Sequence, residues 1–186
     1  MNPLIKKLKE YGNVTAEIED ELIQLVKTKT KSKGDYFLKQ AQVVSSLFVI
    51  ETGLVRSFYY IDDREINSWF GFENIILGAI QPLFYDLPSS ENIQFLETST
   101  YHYILSKDLN YLYRKYNDMN TIGRKMAEEY CEILEDRIKS LQTETAEKRY
   151  QNLIENQPDA LLRITLGHIA SYLGITQETL SRIRKK

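Results

Sequence analysis

The run from Asp118 to Thr145 contains no proline and a single glycine, Gly123. Its apolar residues fall at Met119, Ile122, Met126, Tyr130, Ile133, Leu134, Ile138 and Leu141, at steps of three and four. That spacing predicts one continuous helix of about 40 Å at ~1.5 Å per residue. A rod of this length extends past what one small domain covers, and its stripe has the character of a coiled-coil seam. The eight residues are therefore the candidate dimer interface, and the expected partner is a second copy of the chain. The competing assignment is a core helix packed within one chain.

The pattern on the N-terminal side of the rod is different. Ile18, Leu22, Ile23, Leu25 and Val26 mark an amphipathic helix over Thr15–Val26, with Thr15 as its N-cap. From Lys27 to Leu105 short apolar runs alternate with turn residues. These are Tyr36–Leu38, Leu47–Ile50, Leu54–Tyr60, Glu65–Phe70, Ile93–Glu97 and Tyr101–Leu105. Closely spaced short strands predict an antiparallel sandwich or barrel-like roll. Most of the 13 Tyr and 7 Phe sit here, as strand preference favours. Ser106 is the expected N-cap of a helix over Lys107–Lys115, and a shorter helix over Ala146–Asn156 should stop before Pro158.

Composition narrows the function classes. The chain has 186 residues, a net charge of −2 and 42% hydrophobic residues, which is enough for a buried core. No apolar run reaches the ~18–20 residues of a membrane-spanning helix, and Met1–Lys7 lacks the apolar stretch of a secretory signal. The expectation is a cytoplasmic protein with no membrane partner. The single cysteine, Cys131, cannot hold an iron–sulfur cluster, which usually takes about four thiolates. His102 and His168 lie on separate elements, His102 in a Tyr-rich run, and both are read as structural rather than as metal ligands. No Ser–His–Asp, Cys–His or Gly-rich phosphate motif stands out, so no enzyme is expected. No cofactor and no metal are expected either.

Charge is unevenly distributed. From Leu161 to Lys186 there are five bases and one acid, a net of +4. The first 160 residues hold 19 bases and 25 acids, a net of −6. A basic end on an acidic body points to a polyanion. The same end carries Leu166–Ile183, which reads as helix, tight turn, helix. Ile169 and Leu173 share one face, and Ala170 is small enough for a second helix to approach. Gly174 suits a left-handed exit, Ile175 plugs the corner, and Thr176 caps the second helix. On a helical wheel Gln177, Glu178, Ser181, Arg182, Arg184 and Lys185 occupy one arc of about 160°, opposite Thr179, Leu180 and Ile183. With Thr176, these six are the candidate DNA-binding residues. Gln, Glu and Arg side chains match base edges in the major groove, whereas Arg184, Lys185 and Lys186 suit phosphates.

Ile169–Thr176 followed by Glu178–Ile183 resembles the helix-turn-helix of the Crp/Fnr family of bacterial transcription regulators. The resemblance extends over nearly the whole chain. It implies an α+β fold: an N-terminal antiparallel β-roll like a cyclic-nucleotide-binding domain over residues 1–116, a long dimerisation helix over 117–145, and a helix-turn-helix DNA-binding domain over 146–186. It also implies a homodimer on a palindromic operator of double-stranded DNA, read by Glu178 and Arg182, with RNA polymerase as a candidate partner. Members that bind cyclic AMP carry a Gly-Glu pair in the roll and an Arg-Ser or Arg-Thr pair about ten residues later. Here the corresponding stretches are Phe72–Ala79 and Leu87–Ile93, and no Arg or Lys occurs between Arg64 and Lys107. A phosphate would meet Glu91 without a cation, so no response to cyclic AMP is expected. The alternative function is a sensor module holding a neutral or apolar ligand in the aromatic roll. The ligand-binding residues and the effector stay unassigned.

Overall fold

The computed structural model describes residues 1–185. Two helices lead, α1 (Pro3–Tyr11) and α2 (Ala16–Leu25). The strands are β1 (Lys27–Lys31), β2 (Tyr36–Leu38), β3 (Ser46–Thr52), β4 (Val55–Ile61), β5 (Arg64–Gly71) and β6 (Ile76–Leu77), then, after α3 (Ile80–Tyr85), β7 (Asn92–Phe95) and β8 (Ser99–Leu105). The helices α4 (Ser106–Lys115), α5 (Asn117–Thr143), α6 (Ala146–Asn156), α7 (Ala160–Arg163), α8 (Leu166–Leu173) and α9 (Gln177–Ile183) complete the order. The strands form two four-stranded antiparallel sheets, ordered β1-β8-β3-β6 and β2-β7-β4-β5. This is the expected α+β arrangement of roll, long helix and helical end. No helix among the described residues is long and apolar enough to cross a membrane.

Burial explains the strand pattern. β3 is buried on both faces: Leu47 and Val49 face the N-terminal helices, and Phe48 and Ile50 face the interior of the roll. Hence its unbroken apolar run, where a half-exposed strand would alternate. One core layer joins Leu4, Ile5 and Leu8 of α1 and Ile18 and Leu22 of α2 to Leu109, Leu112, Met119 and Ile122. The second fills the roll with Leu38, Val55, Ile93, Phe95 and Tyr101.

Several expectations need correction. The helix α1 was not expected; Asn2 caps it by accepting from the Leu4 N–H, and Pro3 occupies its first turn. β1, with the sequence Lys-Thr-Lys-Thr-Lys, is an edge strand whose polar residues hide it from a hydrophobic pattern. Thr15 caps α2 as expected. Ser106 does not cap α4: it is the first helical residue, and its hydroxyl donates to the Leu83 carbonyl. Met119 and Ile122 are fully buried within the chain, under α1 and α4, so they are core residues and not part of a dimer face.

Candidate nucleic-acid interface

Local sequence explains the two-helix end. Thr165 caps α8 by accepting from the His168 N–H at 3.3 Å. Gly174 takes the left-handed conformation (φ 68°, ψ 34°), and the Ile175 N–H donates back to the Ala170 carbonyl at 3.0 Å. Thr176 begins α9 and accepts from the Thr179 N–H at 3.2 Å. Ile169, Ala170, Leu173 and Leu180 are buried between the helices, and Ile175 packs against them.

Thr176, Gln177, Glu178, Ser181, Arg182, Arg184 and Lys185 are all exposed. Thr179 and Ile183 are half-buried on the opposite side. Lys186 lies outside the described residues. Glu178 is held below the usual carboxylate range by its own backbone N–H, then by the Thr176 hydroxyl and the Arg182 charge. The flank therefore presents one carboxylate, one amide, two hydroxyls and three cations to solvent, on a helix anchored by Leu180.

The helix-turn-helix is not a free module. Leu54 and Phe72 of the roll belong to the same apolar cluster as Ala160, Ile164, Ile169, Ala170, Leu173 and Leu180. Four short helices bury too little surface to stand alone, and the outside of the roll supplies the missing wall. Polar contacts fix the orientation. β5 is a sheet edge; its Asn67 N–H donates to the Ser171 hydroxyl at 2.9 Å, which donates to the Glu65 carbonyl at 3.0 Å. The Tyr172 ring lies 5.2 Å from that of Phe70. Arg137 of α5 donates to the Tyr172 carbonyl, and Arg149 of α6 to that of Leu173 at 3.1 Å.

Arg163 is the strongest link. Its guanidinium reaches Glu73 at 2.7 and 3.0 Å, Glu97 at 2.8 and 3.0 Å, and the Gly53 carbonyl at 3.0 Å. Arg163 is counted among the five bases of the charged end, but these acids neutralise it, so it is not available to a polyanion. No local signal marks Arg163, because its partners lie 66 and 90 residues earlier in the chain.

The candidate dimer residues divide along α5. Met126 is half-buried against the first core layer. Tyr130, Ile133, Leu134, Ile138 and Leu141 are 40–56% exposed, an apolar stripe along the C-terminal half of α5. Leu141 also meets the α8–α9 turn: a Cβ on Gly174 would lie 3.7 Å from its Cδ2. Cys131 is exposed in the same stretch.

Inside the roll the aromatic rings pack on one another. Phe37 and Phe48 stack at 4.1 Å, and Tyr101 meets Phe48 at 6.0 Å and Phe95 at 5.4 Å. Glu91 accepts from the Ser57 hydroxyl, and burial pushes its carboxyl up. Arg56 is committed elsewhere, to Glu65, Asn67 and Gln94. Both ring nitrogens of His102 are occupied: Nε2 by Glu51 at 2.9 Å, and Nδ1 by Asn2 and Thr28, each at 2.9 Å. His168 stands 3.6 Å from Glu65, and burial lowers its pKa.

No protein-family model matches the chain, and no curated protein matches its sequence. Solved structures do match. FixK2 from Bradyrhizobium japonicum superposes with a TM-score of 0.74 at 18% identity, over 86% of this chain and 83% of FixK2. A chain from Eubacterium rectale, assigned to the Crp/Fnr family of transcriptional regulators, gives 0.70 at 15% identity, over 95% and 86%. The catabolite activator protein of Thermus thermophilus gives 0.60 at 16% identity, over 96% and 85%. The fold of this chain is the Crp/Fnr-type fold, with a cyclic-nucleotide-binding-like roll.

Proposed function

We propose that this chain is a sequence-specific DNA-binding transcription regulator, and that it is not an enzyme. The observation that carries the reading is α9: its seven polar candidates face solvent together while Leu180 anchors the reverse. A recognition helix inserts its first turns into the major groove, where Gln177, Glu178, Ser181 and Arg182 stand ready for base edges. Arg184 and Lys185 face phosphates. Two copies join through the exposed stripe of α5 and read a palindromic operator, one α9 per half-site, in the cytoplasm, with RNA polymerase as a candidate partner.

The roll of this regulator does not answer to cyclic AMP. A phosphate entering it would face the Glu91 carboxylate, and the buried Arg56 is already paired. The packing of Phe37, Phe48, Phe95 and Tyr101 on each other supports a core role for the aromatics over the neutral-ligand sensor. Calorimetry with cyclic AMP is expected to give no heat of binding; micromolar affinity refutes this part.

The direct test is selection of bound sequences from a random duplex pool, followed by measurement on the winning site. Arg182→Ala should cost about 1–3 kcal/mol there and relax one base position. An equal loss on every sequence makes Arg182 a phosphate contact. No enrichment from the pool refutes the reading.

A further inference from the structure

A second basic surface lies far from α9 in the sequence. Lys27–Gln42 holds Lys27, Lys29, Lys31, Lys33 and Lys39 against one acid, Asp35, a net of +4. Outside this segment and the basic end, the chain holds 14 bases and 24 acids. The lysine-rich strand β1 is the edge of its sheet, and β2 is the edge of the other. Lys27, Lys29 and Lys31 pair in register with Tyr103, Tyr101 and Ser99, which puts all three on one face. Lys29 lies over the Tyr103 ring at 5.4 Å, and Lys39 over the Tyr36 ring at 4.8 Å. None of the five has an acidic partner among the described residues, whereas Lys7, Lys9 and Lys115 do.

Lysines on an edge strand guard it against pairing with another chain. That accounts for the three within β1. It does not account for Lys33 and Lys39, which lie beyond that strand and continue the charge onto the second sheet.

The location favours DNA. Lys31 pairs with Ser99, whose hydroxyl donates to the Glu97 carbonyl at 2.8 Å, and Glu97 is one of the two acids holding Arg163. The lysine stripe therefore begins at the end of the roll on which the helix-turn-helix is seated. Because the roll, through Leu54 and Phe72, shares one apolar cluster with the terminal helices, a duplex on α9 has a set position relative to this edge. Flexible, strongly hydrated ammonium groups suit phosphates that stay in water. We propose that the β1–β2 edge is a second, sequence-independent DNA surface, holding the phosphates of duplex that continues past the operator. The proposal rests on the DNA-binding reading above.

The experiment compares two duplexes at several salt concentrations: the operator alone, and the operator extended by about 20 base pairs on each side, roughly two helical turns. The proteins are the wild-type chain and the exposed triple variant Lys27→Gln, Lys29→Gln, Lys33→Gln. The wild type should prefer the long duplex. The variant should bind the short duplex unchanged and lose that preference. Its salt slope on the long duplex should fall by about 5, near 0.9 for each of the three phosphate contacts removed from each of the two copies. Variant and wild type behaving alike on the long duplex overturns the proposal and leaves the function of α9 standing. Binding of the wild type to neither duplex refutes the DNA-binding reading itself. Variant-sensitive binding to equimolar phosphatidylcholine–phosphatidylserine vesicles, with long-duplex binding unaltered, assigns the stripe to a membrane and overturns the proposal.

Discussion

Replacing Arg163 by Met keeps most of the side-chain volume and removes the guanidinium. Five hydrogen bonds to Glu73, Glu97 and Gly53 disappear, and two carboxylates are left facing each other. Removing one partner of a fully buried pair costs about 3–5 kcal/mol. Here Arg163 is 20% exposed, and Glu73 and Glu97 are 30% and 33% exposed, so water screens part of the loss. The expected cost at neutral pH is about 2–3 kcal/mol once that screening is allowed for. Acid should narrow the gap. The Arg163 guanidinium holds the Glu73 carboxyl below the usual range. Its contribution is complete above the unfolded value of about 4.3 and is lost as pH falls through the lower folded value. Urea unfolding of both proteins at neutral pH and near pH 3 measures this. A neutral-pH difference below about 0.5 kcal/mol, the size of an ordinary surface substitution, refutes the clamp. So does a gap that stays constant into acid.

Other substitutions probe the remaining claims. Leu134→Glu with Ile138→Glu places charge on the exposed stripe of α5; sedimentation should give a monomer of unchanged helix content, and a persistent dimer would move the interface elsewhere. Gly174→Ala should cost about 1 kcal/mol or somewhat more, because φ is positive there. The nearest atom to the added Cβ is 3.7 Å away, so the backbone and not crowding is responsible, and an unchanged melting temperature refutes this. Glu91→Gln should raise the melting temperature at alkaline pH and leave it nearly unchanged in acid. Burial raises that carboxyl, so its ionisation costs stability above the folded pKa and nothing below the unfolded one. An equal effect at both pH values excludes ionisation as the cause.

Periodic elements were the legible ones. α5, α8 and α9 and the apolar strands follow from spacing, and Thr15, Gly174 and Thr176 punctuate them with local chemistry. The exposed flank of α9 was readable because helix geometry alone sorts its residues. What stayed hidden depends on distant partners. β1 pairs with β8 about 70 residues later, and its lysines carry no apolar signal. Ser106 looks like a cap, but it turns to Leu83. Met119 and Ile122 continue the stripe of α5 without a break, and only the placement of α1 and α4 against them separates core from free surface. The Arg163 clamp is invisible for the same reason, since nothing near Arg163 announces Glu73 or Glu97.

The wall that Leu54 and Phe72 lend to the terminal helices bears on protein engineering. The four terminal helices excised from this chain would arrive at a foreign host with one side raw, and the donor roll would keep a greasy scar. Altered surfaces are therefore better built by changing the outward residues of α9 in place than by transplanting the whole helical end.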